Sequence, residues 1–467
     1  MTDTPSTHAP LANRLPDRPI ARVLDLTDPA RQMLFDLDVD AARQRMLDGD
    51  LDAVRRLGGS FALIARDGTR ICLARSLDRP LRYFLAKEAA GPMLIVAERI
   101  DAIRDALVAE GYGDQFHPSY TRMVPAHHVT TLQLVGCPDP NPVHARFFAP
   151  PRADGPTDLD ALGARYVGAL LDEVRAWLGW LPADAPIGVA FSGGIDSGAV
   201  LLATYYAMRD LGLSPARLKA FTLRVADPSV DGAVDAADDG GDLAQAQRFL
   251  DALELGFLLE PIEIAPADLD PDAAIAVIED YKPRDVECAT VGLALLRAVR
   301  ARYPDWRFLV DGDGGDENLK DYPIEENPEL TIRSVVNNSM LYQEGWGVEA
   351  IKHSLVYSGG QSRGCVRTYA PAAALGFAGF SPLTRPAVIA AAESIPFAQL
   401  TGGDHAALYA LKGEIVQRGV RQHLGVEMPI FPKRRFQHGA TPADVFAARF
   451  GDEATYRQRF LALHGLA

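Results

Sequence analysis

The stretch VAFSGGIDSG, residues 189–198, decides how this sequence folds. An apolar run ends at Phe191, and a hydroxyl, two glycines, an acid and a second hydroxyl follow within six residues. This order predicts a strand, a tight turn and the start of a helix. Glycines let the backbone approach a ligand closely, and a helix N-terminus presents free N–H groups to an anion. The stretch therefore predicts a phosphate-binding turn that consists of Ser192, Gly193, Gly194, Asp196 and Ser197.

Asp196 is an acid in a predicted site for anions. A carboxylate can lie beside phosphates if a Mg²⁺ ion is between them. A second turn rich in glycine and acid, DGDGGDE at residues 311–317, follows another apolar run. In open parallel sheets, ligands bind at the carboxyl ends of the strands. Both turns are thus predicted to lie at the edge of the sheet where a ligand would bind.

Strands and helices alternate from about residue 159 onward. Alternation of this kind predicts an α/β fold, with a parallel sheet covered by helices on both faces. The part from about 330 to 467 has a mainly helical pattern. The predicted strands are 187–191, 218–225, 256–264 and 306–310, and the predicted helices are 159–181, 198–211, 243–255, 271–281 and 290–303.

The earlier part of the chain, residues 21–150, has a β-rich pattern with short helices. Residues 58–76 contain two apolar runs joined around Asp67-Gly68, which is typical of a hairpin. Residues 81–98 repeat the pattern, with a turn near Gly91. We therefore predict an antiparallel meander here. The predicted division is a flexible arm over 1–20, a first domain over 21–150 and a second over 151–467, with a Pro-, Asp- and Gly-rich linker over 147–158.

Composition limits the function classes. The chain has 467 residues and a net charge of −15, with no long Lys/Arg run, so nucleic acid is not an expected partner. No stretch has the roughly 18 consecutive apolar residues that a membrane span needs, so no membrane partner is expected. The four cysteines form no CxxC pair, which disfavours structural zinc. We expect a cytoplasmic protein with reduced thiols.

The S-G-G-x-D-S turn resembles the PP-loop of ATP pyrophosphatases, the enzymes that split ATP into AMP and pyrophosphate. Three further segments match one family within that group: LVDGDGGDE (309–317), SPLTRPAVIAAAESIP (381–396) and FPKRRFQHG (431–439). The four landmarks occur in the family's order. The chain therefore resembles asparagine synthetase and its relatives, which are β-lactam synthetase, carbapenam synthetase and the lasso-peptide cyclases.

The resemblance implies an adenine nucleotide alpha hydrolase-like second domain that binds ATP and Mg²⁺. A substrate carboxylate attacks the α-phosphorus of ATP, giving an acyl-adenylate and pyrophosphate, and an amine then displaces AMP. Asp196 and Asp316 would share the Mg²⁺ ion, and Thr222 and Leu223 would lie beside the adenine. The implied nucleotide-binding residues are Ser192, Gly193, Gly194, Asp196, Ser197, Thr222, Leu223, Gly312 and Asp242.

Two residues are candidates for catalysis. Lys433 lies in the K-x-x-F-x-x-G segment and would stabilise the departing pyrophosphate; the alternative is a solvated surface charge. Asp313 occupies the position that contacts the incoming amine in the family, where a carboxylate can accept a proton. The alternative for Asp313 is a turn residue between glycines.

The roles of three other residues each have two interpretations. Asp242 is either the N-cap of a helix or a ligand in the nucleotide site. Arg363 and Arg367 either hold a substrate carboxylate or pair within the protein, and the second interpretation is favoured.

The sequence departs from the family in its first domain. Residues 59–75 and 93–97 are similar to the body of the family's glutaminase domain, which has an Ntn-like sandwich fold, but Thr2 follows Met1 where that family has a catalytic cysteine. The nearest cysteine, Cys72, lies inside a predicted strand. We expect a degenerate glutaminase-like scaffold and a reaction that does not depend on glutamine. The amine would come from ammonia, from a second substrate or from the acid substrate itself.

A second departure concerns the acid substrate. Ala378, Phe380 and Arg385 replace the Glu, Arg and Asp of the family's E-x-R-x-P-F-L-D segment, which argues against aspartate. We expect small-molecule carboxylate and amine substrates, with a peptide as an alternative, and a homodimer remains open. The rival hypotheses are a PP-loop enzyme that adenylates a nucleobase, such as a tRNA-modifying enzyme, and a nucleotide-binding scaffold without catalysis.

Overall fold

The structure is a computed structural model that describes residues 20–133, 141–226, 241–321, 331–337, 365–432 and 439–466. The strands before residue 147 form two four-stranded sheets, with the orders β1-β7-β6-β8 and β10-β9-β5-β4, and a two-stranded ladder, β2-β3. These strands are β1 (Arg22–Asp25), β2 (Met33–Leu34), β3 (Gly59–Ser60), β4 (Ala62–Asp67), β5 (Arg70–Arg75), β6 (Arg82–Ala86), β7 (Met93–Ala97), β8 (Arg122–Met123), β9 (His128–Gln133) and β10 (Asn141–Arg146).

Both predicted hairpins are confirmed: β4 pairs with β5 and β6 pairs with β7, each antiparallel. The predicted meander is wrong, because the two hairpins lie in different sheets. Their inner faces pack against each other, with Ile64 and Leu73 of one hairpin in the same core cluster as Tyr83 and Leu94 of the other. Stacking two sheets buries apolar faces that a single meander would leave exposed. One pair, β1 with β7, is parallel.

The later strands form one parallel sheet, as the α/β pattern predicts. Its order is β13-β12-β11-β14-β15, and every neighbouring pair is parallel. The sequence interpretation missed β15, because this strand has three residues in a mainly helical region. The two special turns follow β11 and β14, which are neighbours in the sheet. The strands are β11 (Ile187–Ala190), β12 (Leu218–Val225), β13 (Leu259–Ile264), β14 (Phe308–Val310) and β15 (Ala378–Phe380).

Helices surround these sheets, and several boundaries differ from prediction. The helix after β11 begins at Ile195, not Gly198, because Gly194 adopts an extended N-cap conformation. Asp196 and Ser197 therefore lie in the first helical turn. The α-helices are α1 (Val39–Asp48), α2 (Leu51–Arg55), α3 (Ile100–Ala109), α4 (Leu159–Trp180), α5 (Ile195–Asp210), α6 (Asp242–Asp251), α7 (Pro271–Ile278), α8 (Pro283–Arg302), α9 (Gly315–Asn318), α10 (Ile332–Asn337), α11 (Ala370–Ala374), α12 (Pro386–Glu393), α13 (Phe397–Thr401), α14 (His405–Leu424), α15 (Ala443–Arg449) and α16 (Glu453–Leu463).

The β-rich part and the parallel-sheet part share their hydrophobic cores. Met33 packs into the core of the parallel sheet, and Ile389 packs into a core of the β-rich part. The carboxylate of Glu279 accepts hydrogen bonds from the backbone N–H groups of Ile100 and Asp101, 2.8 and 2.9 Å away. The two parts are therefore joined by apolar packing and by hydrogen bonds. Among the described residues, no helix is long and apolar enough to cross a membrane.

Candidate functional site

The turn after β11 has the geometry of an anion-binding turn. Gly193 has a φ of +71°, and a Cβ there would meet the backbone N of Ala246 at 2.8 Å, so no other residue fits without strain. Gly194 caps α5 without any side-chain hydrogen bond, and the first N–H groups of a helix have no acceptor within the helix itself. The Oγ atoms of Ser192 and Ser197 are 3.3 Å apart. The predicted turn residues thus come together at one helix N-terminus.

The turn after β14 packs directly against this first turn. A Cβ at Gly312 would meet the backbone N of Ser197 at 2.7 Å, and a Cβ at Gly315 would overlap the carboxylate of Asp196. Both glycines are therefore needed for this close approach. The contact brings the carboxylates of Asp196 and Asp316 together, and both turns lie at strand carboxyl ends, as predicted.

The side chain that joins the two turns is Lys412, which sequence reasoning missed. Its Nζ lies 2.6 Å from an oxygen of Asp196, 2.5 Å from one of Asp316 and 3.1 Å from one of Asp321. Burial alone would lower the pKa of Lys412, but the three carboxylates outweigh burial and hold it well above its ordinary value. Lys412 lies on α14 between the buried residues Leu411 and Gly413, and a lysine on an apolar helix face was the available signal.

The donor set at this point fits Mg²⁺ that binds together with a nucleotide. Within the described residues there is no group of three or more His, Cys, Asp or Glu side chains that could hold a metal ion. Asp196 and Asp316 converge on one cation, the ammonium of Lys412. Mg²⁺ is usually held by one or two carboxylates, with water and substrate phosphates completing its shell. Two carboxylates beside a phosphate-binding turn are therefore a suitable set.

Asp313 lies in the turn after β14, and the pKa of its carboxyl group is raised towards neutrality. Burial raises its pKa to about 6, although the Arg367 guanidinium and a hydrogen bond from Thr368 act in the opposite direction. Its Oδ2 is buried and accepts no hydrogen bond from the described residues. A carboxyl group that titrates near neutrality can accept a proton from an amine at physiological pH. This environment favours a chemical role over that of a simple turn residue.

Arg367 lies in a π-helical segment, Cys365–Tyr369, beside the acids of this turn. Burial would lower its pKa, but Glu317, Cys288 and Asp313 outweigh burial and raise it. The proximity of these acids supports pairing within the protein, the favoured interpretation. Glu317 is itself buried, and sequence reasoning did not single it out. Arg363 and Lys433 lie outside the described residues.

The residues predicted beside the adenine lie just past the end of β11. Ala190 pairs with Phe221, so Thr222 and Leu223 extend beyond the last paired residues of the two strands. The hydroxyl of Thr222 donates to the Phe191 carbonyl, 2.8 Å away. Both side chains are buried, which leaves the backbone of this strand end as the surface for a ligand.

Asp242 opens α6, but Gly241 is the N-cap, so the N-cap interpretation of Asp242 is wrong. A Cβ at Gly439 would overlap the Asp242 carboxylate. The last residue of the 431–439 segment therefore touches Asp242. The structure thus brings the end of a third segment that resembles the family beside the start of α6.

Comparison with known families agrees with this geometry. Residues 175–357 match the asparagine synthase family model, and the matched range contains both turns, Asp196, Asp313 and Asp316. None of the curated proteins is similar enough to the chain to count as a match. Over residues 175–357, the chain is therefore similar to the asparagine synthase family.

Proposed function

We propose that this protein is an ATP-dependent carbon–nitrogen ligase that activates a carboxylic acid as an acyl-adenylate and transfers the acyl group to an amine. The products are pyrophosphate, AMP and an amide. The observation that carries the proposal is the convergence of Asp196 and Asp316 on a single cation, the ammonium of Lys412, beside the glycine turn after β11. The asparagine synthase domain independently supports an ATP-using amide ligase.

ATP would bind with its phosphates against the N-terminus of α5. The N–H groups of the Ser192–Ser197 turn donate to the phosphate oxygens, and the two serine hydroxyls add further donors. Asp196 and Asp316 would hold Mg²⁺, which would supply positive charge to the pyrophosphate leaving group. The ammonium of Lys412 lies within reach of the same carboxylates and would contribute a second positive charge. The substrate acid then attacks an α-phosphorus whose leaving group is electrostatically stabilised.

The amide-forming step needs a proton acceptor and a stabiliser of negative charge. Asp313 would accept the proton of the attacking amine, because its pKa of about 6 leaves it ionised at neutral pH. Lys433 would stabilise the tetrahedral intermediate of this step, and the departing pyrophosphate in the step before it. Its role rests on the K-x-x-F-x-x-G segment, whose Gly439 contacts Asp242.

We further propose that glutamine is not the amine donor and that the β-rich part is a scaffold. Cys72 is fully buried in β5, and its Sγ lies 3.7 Å from the Thr131 hydroxyl. Burial raises the pKa of the Cys288 thiol to about 11. Cys72 thus lacks the exposure that a nucleophile needs, and Cys288 lacks the ionised thiolate. The amine would then be ammonia, a second substrate or a group on the acid itself.

Nucleotide chromatography tests the reaction type. The protein is incubated with ATP, Mg²⁺ and a panel of carboxylic acids, with and without ammonia or amines. We expect AMP and pyrophosphate to form with one class of acid. Accumulation of ADP and phosphate in place of AMP would contradict the adenylation mechanism. Added glutamine should yield no glutamate, and glutamate release would show that the first domain is an active glutaminase.

Three variants test the residue roles. Asp196→Asn should abolish AMP formation, since the metal and phosphate site loses a charge. Lys433→Met should bind MgATP and lose turnover. Arg297→Gln is the control, because Arg297 forms a half-exposed ion pair with Asp270 away from the site. If Asp196→Asn and the control turn over equally fast, any ATP-dependent turnover arises elsewhere and the assigned site is wrong.

A further inference from the structure

A buried ion pair joins the β-rich part to the parallel-sheet part. The Nη2 of Arg385 lies 2.6 Å from the Oδ1 of Asp78, and each side chain is 1% exposed. Asp78 also accepts hydrogen bonds from Ser60 and Ser76, 2.5 and 2.6 Å away. Burial would raise the pKa of Asp78, but Arg385 and the two serines outweigh it, so the pKa lies below its ordinary value. The carboxylate is therefore an ionised, fully supported partner.

Arg385 extends the contact in both directions. Its Nη1 donates to the carbonyl of Gly59 in the β-rich part. Its Nε donates to the carbonyl of Ser381, 3.3 Å away, and its Nη2 to the Thr384 hydroxyl, 2.7 Å away. The guanidinium thus holds the 381–385 segment, directly after β15, against the first part of the chain.

Ser381 continues the connection into the turn that carries the candidate catalytic residues. Its hydroxyl donates to the Oδ2 of Asp311, 3.0 Å away, and the Oδ1 of Asp311 accepts from the backbone N–H of Asp313, 3.0 Å away. Asp311 is 3% exposed, so these bonds are shielded from water. Asp313 and Asp316 follow directly in the same turn. A continuous path of hydrogen bonds therefore runs from Asp78 to Asp313.

We propose that Asp78 and Arg385 are positioning residues for the 311–316 turn, so that the β-rich part completes the nucleotide site without contributing a group to it. Each link has a single geometry because its partners are buried and have directional hydrogen bonds. The turn packs closely against Asp196 at Gly312 and Gly315. A small shift of the turn would therefore misplace both Asp313 and Asp316. The predicted change in the affinity for MgATP rests on the proposed function, whereas the predicted change in the position of the 311–316 turn does not.

Hydrogen exchange of the amides in residues 308–320 provides a readout that needs no ligand. The variants are Asp78→Asn, Arg385→Met and the double variant Asp78→Asn/Arg385→Met. The double variant removes both charges of the pair, so neither is left buried without its partner. It therefore keeps the test valid if a single variant fails to fold. We expect exchange in this peptide to be on the order of tenfold faster in the double variant. The affinity for MgATP, measured by calorimetry, should fall by a similar factor.

Arg99→Gln is the matched control. Arg99 also bridges the two parts, but its bonds to the carbonyls of Val277 and Ala276, at 2.8 and 2.9 Å, lead to α7 and not to the 311–316 turn. We expect Arg99→Gln to lower thermal stability and to leave exchange in residues 308–320 unchanged. Unchanged exchange in the double variant, or an equal acceleration in Arg99→Gln, would overturn the proposal. If the wild-type protein does not bind MgATP, the proposed function fails, and the exchange result still decides whether the pair positions the turn.

Discussion

The ammonium nitrogen of Lys412 lies 2.6 Å from a carboxylate oxygen of Asp196, a residue 216 positions earlier in the chain. The same nitrogen contacts Asp316 and Asp321, and Lys412 is only 3% exposed. A buried ammonium depends on its carboxylates, because an unpaired buried charge is costly. The free energy of unfolding should therefore depend on the charges of Lys412 and its three carboxylates.

Lys412→Met should destabilise the protein by about 3 kcal/mol at pH 7.5, since three carboxylates would then repel one another without a cation. The loss should shrink as the pH falls, because protonation of the carboxylates relieves the repulsion. Urea unfolding at several pH values measures it. MgATP binding should also weaken.

Lys282→Met is the control for this experiment. Lys282 likewise bridges two aspartates, Asp280 and Asp285, at 3.0 and 2.7 Å, but it lies outside the site. We expect a comparable loss of stability with unchanged affinity for MgATP. Equal loss of MgATP affinity in both variants would show that Lys412 acts only through general stability.

Asp313→Asn should stabilise the folded protein at pH 7.5. Burial raises the pKa of Asp313 from 3.8 to about 6, so ionising it costs folding free energy. That cost is absent below pH 4 and fully present above pH 6, and it amounts to about 3 kcal/mol at most. The stability difference between variant and wild type should therefore grow between these pH values. Urea unfolding at pH 4 and pH 7.5 measures it, and a constant difference would mean that Asp313 is not buried as described.

The pH dependence of amide formation should report the same carboxyl group. With saturating ATP and acid, the rate should rise as the pH increases through about 6 and then level off, because only ionised Asp313 accepts a proton. Asp313→Asn should lower this rate by roughly 10²- to 10⁴-fold and remove that step from the profile. Retention of the step at pH 6 in the variant would assign the base to another residue. Pyrophosphate release in the first step should be affected much less.

Gly315→Ala should weaken MgATP binding and cost about 1–3 kcal/mol of stability, because the new methyl group would overlap the Asp196 carboxylate. Gly179→Ala is the control: Gly179 lies in α4, and a Cβ there meets nothing within 4 Å. Alanine at that helical position should stabilise the protein by about 0.5–1 kcal/mol. Calorimetry with MgATP and thermal unfolding distinguish the two variants. Normal ATP affinity in Gly315→Ala would mean that the close approach of the turns is dispensable.

The local sequence patterns predicted the parallel sheet because they depend on residues close together in the chain. An apolar run ends at Phe191 and glycines follow it, and residues 306–317 show the same order. This order is sufficient to predict strands whose carboxyl ends carry turns. The start of α5 was misjudged by three residues, since Gly194 is the N-cap and Asp196 already lies inside the helix. The family resemblance pairs Asp196 with Asp316, and in the structure both carboxylates contact the ammonium of Lys412 at the ends of neighbouring parallel strands.

The sequence by itself determined the α/β class of the later part and the two turns rich in glycine and acid at its strand ends, because hydrophobic period and turn chemistry are encoded over a few residues. Only the tertiary structure decided that Lys412 lies between those aspartates, that Arg385 pairs with Asp78 and that the two hairpins stack in separate sheets. These features join residues tens to hundreds of positions apart. Burial makes an unpaired charge costly, so it favours folds in which a buried lysine or arginine such as Lys412 or Arg385 lies beside a carboxylate.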